Sequence, residues 1–241
     1  DCLFERGMSS SSVKRFFSSV RAVINLAIRE HGLSVTNFFS GTFIPDDEVK
    51  KKRSPIPADA LLGIQRECVA LDDEPRWLIA LISDTGMRLS EACGLQARDI
   101  HLNTNAPYID LVEHPWRRLK TSSSSRQVPL VGASLWAAHR IVDAGHSFAF
   151  PKYCSKAKCN ANSASAALNK WLKPRVPDGC VIHSFRHSLR DRLRAIECPA
   201  DIINAIGGWT TEGIGHQYGK GHRLTVMHGW MKRLRNGDQE S

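Results

Sequence analysis

The chain has 241 residues, of which 42% are hydrophobic and 24% charged, a globular balance that excludes a low-complexity disordered chain. No apolar run reaches the roughly 18 residues a membrane helix needs, so no span is expected. The 33 Lys+Arg against 24 Asp+Glu leave a net charge of +9, a bias toward a polyanionic partner such as nucleic acid.

From the N-terminus, residues 13–29 place Phe16, Phe17, Val20, Val23, Ile24, Ala27 and Ile28 at helical spacing after a serine run that can cap the start. An amphipathic helix is predicted. So short a segment hardly supplies partners for its own apolar stripe, so residues 1–46 are expected to be the end of a larger helical domain. The stretch from Ile44 to Pro57 combines three prolines with a charge run and no apolar period, which places a linker at 47–57 and a second domain at 58–241. Both sides are basic. Their excesses are +3 for residues 1–57 and +6 for 58–241.

In the second domain, helices are predicted over 58–69 and 75–83, with a third starting near Leu89. Short strands follow at 99–102, 108–112 and 126–130, with turns at Asn103–Asn105 and in the run Ser122–Ser125. Helical periods return at 133–143, 163–172, 184–196, 200–206 and 223–235, divided by Pro151, Pro174, Pro177 and the pair Gly207-Gly208. The expected fold is α+β, mostly α-helical, with one small antiparallel sheet.

The seven cysteines form an odd set without a repeated spacing, and no signal segment precedes them, so reduced, intracellular thiols are expected. Cys154 and Cys159 are the only close pair. No second Cys/His pair with finger spacing follows, which favours loop thiols over a zinc site, and no metal is expected.

Three segments carry groups suited to a phosphodiester. In Thr85-Gly86-Met87-Arg88-Leu89-Ser90-Glu91 a glycine turn leads into a helix whose first turn presents Arg88. Its guanidinium can fork two hydrogen bonds onto phosphate oxygens, and Glu91 can hold it or satisfy backbone donors. The second segment sets Lys120 on a hairpin turn before Arg126-Gln127-Val128-Pro129-Leu130, where either basic side chain can reach a DNA backbone. The third, His183-Ser184-Phe185-Arg186-His187, opens a helix at which His183 and Arg186 can face one anion, with Arg190 a turn further on. Residues 170–195 form the most basic stretch of the chain. Trp209 and Tyr218 follow. Taken singly, these residues read as solvated ion pairs, a helix cap, an edge-strand lysine and buried aromatics.

In this order and spacing, Arg88, Lys120, His183-x-x-Arg186, Trp209 and Tyr218 resemble the signature of the tyrosine recombinases, the phage integrase family. Where many members read Leu-Gly-His, this chain has Gly207-Gly208-Trp209, and Trp is an accepted alternative there. The resemblance covers nearly the whole chain, and Ser12 to Pro45 looks like the last part of that family's core-binding domain.

The resemblance implies site-specific DNA recombination: Tyr218 attacks a DNA phosphodiester, forming a 3′-phosphotyrosine bond and freeing a 5′-hydroxyl, with no cofactor. It implies that Arg88 and Arg186 stabilise the phosphorane, Lys120 is the general acid and His183 the base or a phosphate donor. Trp209 would give its indole N–H to the phosphate, and Glu91 would support the site from behind. Arg126, His187 and Arg190 are expected to face DNA. The implied partners are double-stranded DNA, a homotetramer on it that exchanges the C-terminal helix between protomers, and accessory DNA-bending proteins, with no membrane. The implied setting is the cytoplasm of a bacterium, at the nucleoid, with the gene carried by the cell, a phage or another mobile element. Three other readings are a DNA-binding accessory protein without catalysis, a type IB topoisomerase and a metal-dependent nuclease. The last lacks paired carboxylates or a His cluster at ligand spacing.

Overall fold

The computed structural model describes residues 2–45, 53–119, 124–209 and 221–237. The chain divides into two compact units between Lys52 and Arg53.

In the first unit, α1 (Cys2–Glu5) precedes α2 (Ser10–Glu30). The serine run does cap: the Ser9 hydroxyl accepts the Ser12 N–H at 3.3 Å. Residues 33–45 return along α2, where Arg21 Nε donates to Phe39 O at 2.6 Å and Asn37 Nδ2 to Asn25 Oδ1 at 2.7 Å. Val13 is buried, whereas Phe16 and Val23 of the predicted stripe stay 53% and 68% exposed. The four residues of α1 are too few to show a period, and the sequence gives no sign of that helix.

The second unit runs through α3 (Ala58–Leu71), α4 (Glu74–Thr85), α5 (Leu89–Cys93), β1 (Ile100–His101), β2 (Tyr108–Leu111), β3 (Arg126–Pro129), α6 (Gly132–Asp143), α7 (Ala161–Leu172), α8 (Ser184–Ala195), α9 (Ala200–Gly207) and α10 (Leu224–Gly237). Helix α4 lies at the centre, buried at every position from Leu78 to Thr85 and packed on α3, α6 and α8. Asp73 starts it by accepting the Arg76 N–H at 3.1 Å.

The sheet is antiparallel in the order β1-β2-β3, with Ile109 opposite Val128 and Leu111 opposite Arg126. Ile109, Leu111 and Val128 point into the main core. The first strand is shorter than predicted. Residues 97–99 form a 3₁₀ turn, closed by the Gln96 N–H donating to the Asp99 carboxylate at 3.0 Å. Cys154 and Cys159, predicted to lie in a loop, face each other across an isolated antiparallel bridge.

A second core joins Leu189 and Leu193 of α8, Ile202, Ile203 and Ile206 of α9, and Met227, Met231 and Leu234 of α10. Burying each such side chain is worth about 1.5–3 kcal/mol, so α10 is an integral part of this unit's core. No helix among the described residues is long and apolar enough to cross a membrane.

Candidate active site

The site is built around a glycine. Gly86 closes α4 at φ +58°, where its N–H donates to Ile82 O at 2.9 Å. A Cβ there would meet Leu189 Cδ2 at 2.6 Å, so the residue's smallness also lets α8 approach. The turn delivers Arg88 to the start of α5. There the Glu91 carboxylate accepts the Arg88 backbone N–H at 2.9 Å and a hydrogen bond from Arg88 Nη1, which also donates to Ser124 Oγ at 3.0 Å. Glu91 thus serves both roles foreseen for it, cap and anchor.

Helix α8 supplies the opposing groups. Arg186, 4% exposed, donates from Nη1 to Gly86 O at 2.8 Å, while its buried Nη2 has no partner among the described residues. The Arg186 and Arg190 guanidiniums lie 4.3 and 5.2 Å from the Trp209 ring centroid. Trp209 is seated by the end of α9. Gly208 turns the chain at φ +63°, the Trp209 N–H donates to Asn204 O at 3.0 Å, and the indole fills the space a Cβ on Gly207 would need.

Arg126 requires a correction. It was expected to face DNA, yet its guanidinium donates from Nε to Ile206 O at 2.9 Å, from Nη1 to Ser124 O at 2.8 Å and from Nη2 to Glu91 Oε2 at 3.2 Å. A group so engaged beneath the surface is not presented to a phosphate. The alternation of β3 carries the reason: Arg126 and Val128 share the inward face.

Electrostatics suit an anion. Burial pushes the Glu91 carboxyl upward, but the Arg126 charge and the hydrogen bonds from Arg88 outweigh it and hold the group below its usual range. Burial, with the Arg88 and Arg126 charges, brings Arg186 down to about 10, which leaves it protonated at neutral pH. The guanidiniums of Arg88, Arg126 and Arg186 beside the Glu91 carboxylate thus leave positive charge in a poorly solvated place.

His183 ends the turn before α8, with its ring 5.5 Å from that of the exposed His187. Burial, then Arg53, His187, Arg186 and Arg88, brings it from 6.5 down to about 4, so the ring is neutral at pH 7. Between those values the unfolded chain binds the proton and the folded chain does not, so the His183 contribution to stability is complete above about pH 6.5 and lost as pH falls toward 4. His183→Gln should therefore show a smaller drop in melting temperature between pH 7 and pH 4.5 than the parent chain; equal drops would contradict the assignment.

Lys120 and Tyr218 lie outside the described residues. Of the basic stretch around α8, Arg192 pairs with Asp84 at 3.2 Å and Arg194 with Asp191 at 3.6 Å, so the charge facing the site comes from Arg186 and Arg190. Three contributors escaped the sequence reading. Ser124 holds Arg88, Arg53 adds charge near His183, and buried Arg117 donates from Nη1 to Glu91 O at 3.0 Å. None sits in a periodic pattern that would mark it.

Comparison with known proteins gives a match to a family model described as the phage integrase family over residues 58–221. No curated protein matches. Among solved structures, the Tn1549 transposon integrase in complex with transposon right-end DNA is 17% identical, with 97% of this chain and 82% of that one covered at a TM-score of 0.59. A lambda integrase tetramer bound to a Holliday junction is 18% identical, with coverages of 89% and 60% and the same TM-score of 0.59. At these identities the likeness is one of fold.

Proposed function

The chain belongs to the phage integrase family and is a tyrosine recombinase that cleaves and rejoins DNA in site-specific recombination; on that premise we propose how its residues divide the work. The Tyr218 hydroxyl attacks the scissile phosphorus. The new bond joins Tyr218 oxygen to the 3′-phosphate, the P–O5′ bond breaks, and the strand end leaves as a 5′-hydroxyl. Another strand's 5′-hydroxyl later reverses the step, so the linkage energy is kept without a nucleotide triphosphate.

The observation that carries this reading is Arg186 Nη2, buried and without a hydrogen-bond partner among the described residues, in a site where Arg88, Arg126 and Arg186 lie around the Glu91 carboxylate. Arg88 and Arg186 stabilise the charge that grows on the nonbridging oxygens, and neither needs to change protonation. That role asks for no metal. Neutral His183 is suited to take the phenolic proton, or to donate a hydrogen bond to the phosphate. Lys120 protonates the leaving 5′-oxygen. Trp209, held against Arg186, presents its indole N–H to the phosphate, and His187 and Arg190 face the DNA backbone.

Residues 1–46 are the end of a core-binding domain and the linker runs from 47 to 52; residues 53–57, expected in the linker, belong instead with the catalytic domain, where Ile56 is buried in the core and its N–H donates to Ser188 Oγ at 2.7 Å. The working assembly is a homotetramer on double-stranded DNA in the cytoplasm, aided by accessory bending proteins. Exchange of α10 between protomers would repeat in trans the Met227, Met231 and Leu234 contacts that it makes at home.

The test uses duplexes enriched from a random-sequence pool for binding to the chain and then nicked to trap cleavage. An SDS-resistant protein–DNA adduct is expected with the parent chain and none with Tyr218→Phe. An adduct that survives the substitution, or relaxation of supercoiled DNA without strand exchange, would overturn the reading.

A further inference from the structure

We propose that Arg126 is a positioning residue: it fastens the Glu91 carboxylate beneath Arg88 and ties together the three segments that carry the site. This rests on the phosphotyrosine reading above and adds to it a residue that never meets the phosphate.

The geometry is specific. Each of the three Arg126 hydrogen bonds ends on a different segment: Glu91 on α5, Ser124 O in the turn before β3, and Ile206 O at the end of α9, three residues before Trp209. The side chain passes so close to Gly208 that a Cβ there would come within 2.8 Å of Nη1. Only a planar fork with donors on all three nitrogens satisfies acceptors in three directions, and Lys offers a single nitrogen. Arg126 therefore sets the Arg88 side chain through Glu91 and the Trp209 seat through Ile206.

Its charge matters as well as its shape. The charged groups facing Glu91 are Arg88 from the start of α5, Arg126 from β3, Arg186 from α8 and Arg117 from the segment after β2. Removal of the Arg126 charge leaves a buried carboxylate with weaker compensation, so it protonates at a higher pH and releases Arg88. A residue that served packing alone would not move that titration.

The experiment follows adduct formation by the full chain on the enriched nicked duplex from pH 5 to pH 9, alongside duplex binding and melting curves. For Arg126→Gln the expected result is a loss of about 10–100-fold in cleavage rate, the cost of loosening a group that orients a reacting residue. Duplex binding should stay within about threefold, and the acid limb of the rate profile should move to higher pH. Arg126→Lys keeps the charge, so the limb should return while the rate recovers only in part.

An unchanged rate and limb in Arg126→Gln would overturn the proposal. So would a slower rate with an unmoved limb, or failure of both variants to fold, since each assigns Arg126 to stability alone. If the parent chain forms no adduct, the phosphotyrosine reading itself fails, which is a separate result.

Discussion

Arg186→Lys should lower the single-turnover rate of adduct formation by about 10²–10³-fold, the usual effect of removing one fixed donor from a developing oxyanion. Duplex affinity should change far less, because many other phosphate contacts share that term. Two features set the size of the loss. In the parent chain Nη1 is spent on Gly86 O, and that bond aims Nη2, which has no hydrogen-bond partner among the described residues; an ammonium cannot hold the carbonyl and present a second, rigidly placed donor. The approach of the guanidinium to the Trp209 ring, at 4.3 Å from its centroid, also disappears. Quench-flow on the nicked duplex, with a gel shift beside it, measures both. Equal losses in cleavage and binding would place Arg186 among ordinary DNA contacts.

Gly207→Ala should destabilise the chain by about 1–3 kcal/mol, the range for forcing a methyl into a filled core. At roughly 2–4 °C per kcal/mol for a chain of this size, melting should fall by about 2–12 °C. The new methyl would land within the Trp209 indole, and that ring packs against the second core. The ring has to leave, and Arg186 and Arg190 lose their aromatic partner, so cleavage should fall with stability. Trp209→Ala provides the control: in its background, Gly207→Ala should cost almost nothing, a strongly non-additive pair. An unchanged melting temperature for Gly207→Ala alone would show that the indole is not seated there.

Much of this arrangement is legible in the residues. The Thr85–Glu91 box, the helix opened by His183 and Arg186, and the Gly207-Gly208 break each carry local chemistry that dictates a turn or a cap, and each stands where it was predicted. Arg126 shows a different case. A basic residue beside a hairpin reads as solvent-facing, and only its pairing opposite Leu111, on the side of Val128, turns it inward. Its partners Glu91 and Ile206 are 35 and 80 residues away, beyond any local pattern. Basic α8 misleads in the opposite sense, since Asp84 of α4 neutralises Arg192 through a contact no sequence window contains. His183 illustrates a third limit: its neutral state depends on burial and on cations from Arg53, Arg186 and Arg88, which only folding assembles. The C-terminal helix has the apolar spacing of a docking element, and packing decides its host. In this chain Met231 and Leu234 are buried on its own α8 and α9 core.

The most direct measurement is peptide mapping of the trapped protein–DNA adduct after nuclease trimming. The expected result is a nucleotide remnant on Tyr218 alone, joined through a 3′-phosphate, with a free 5′-hydroxyl on the released strand. A remnant on another residue, a 5′-phosphate linkage, or cleaved DNA with no adduct would contradict it.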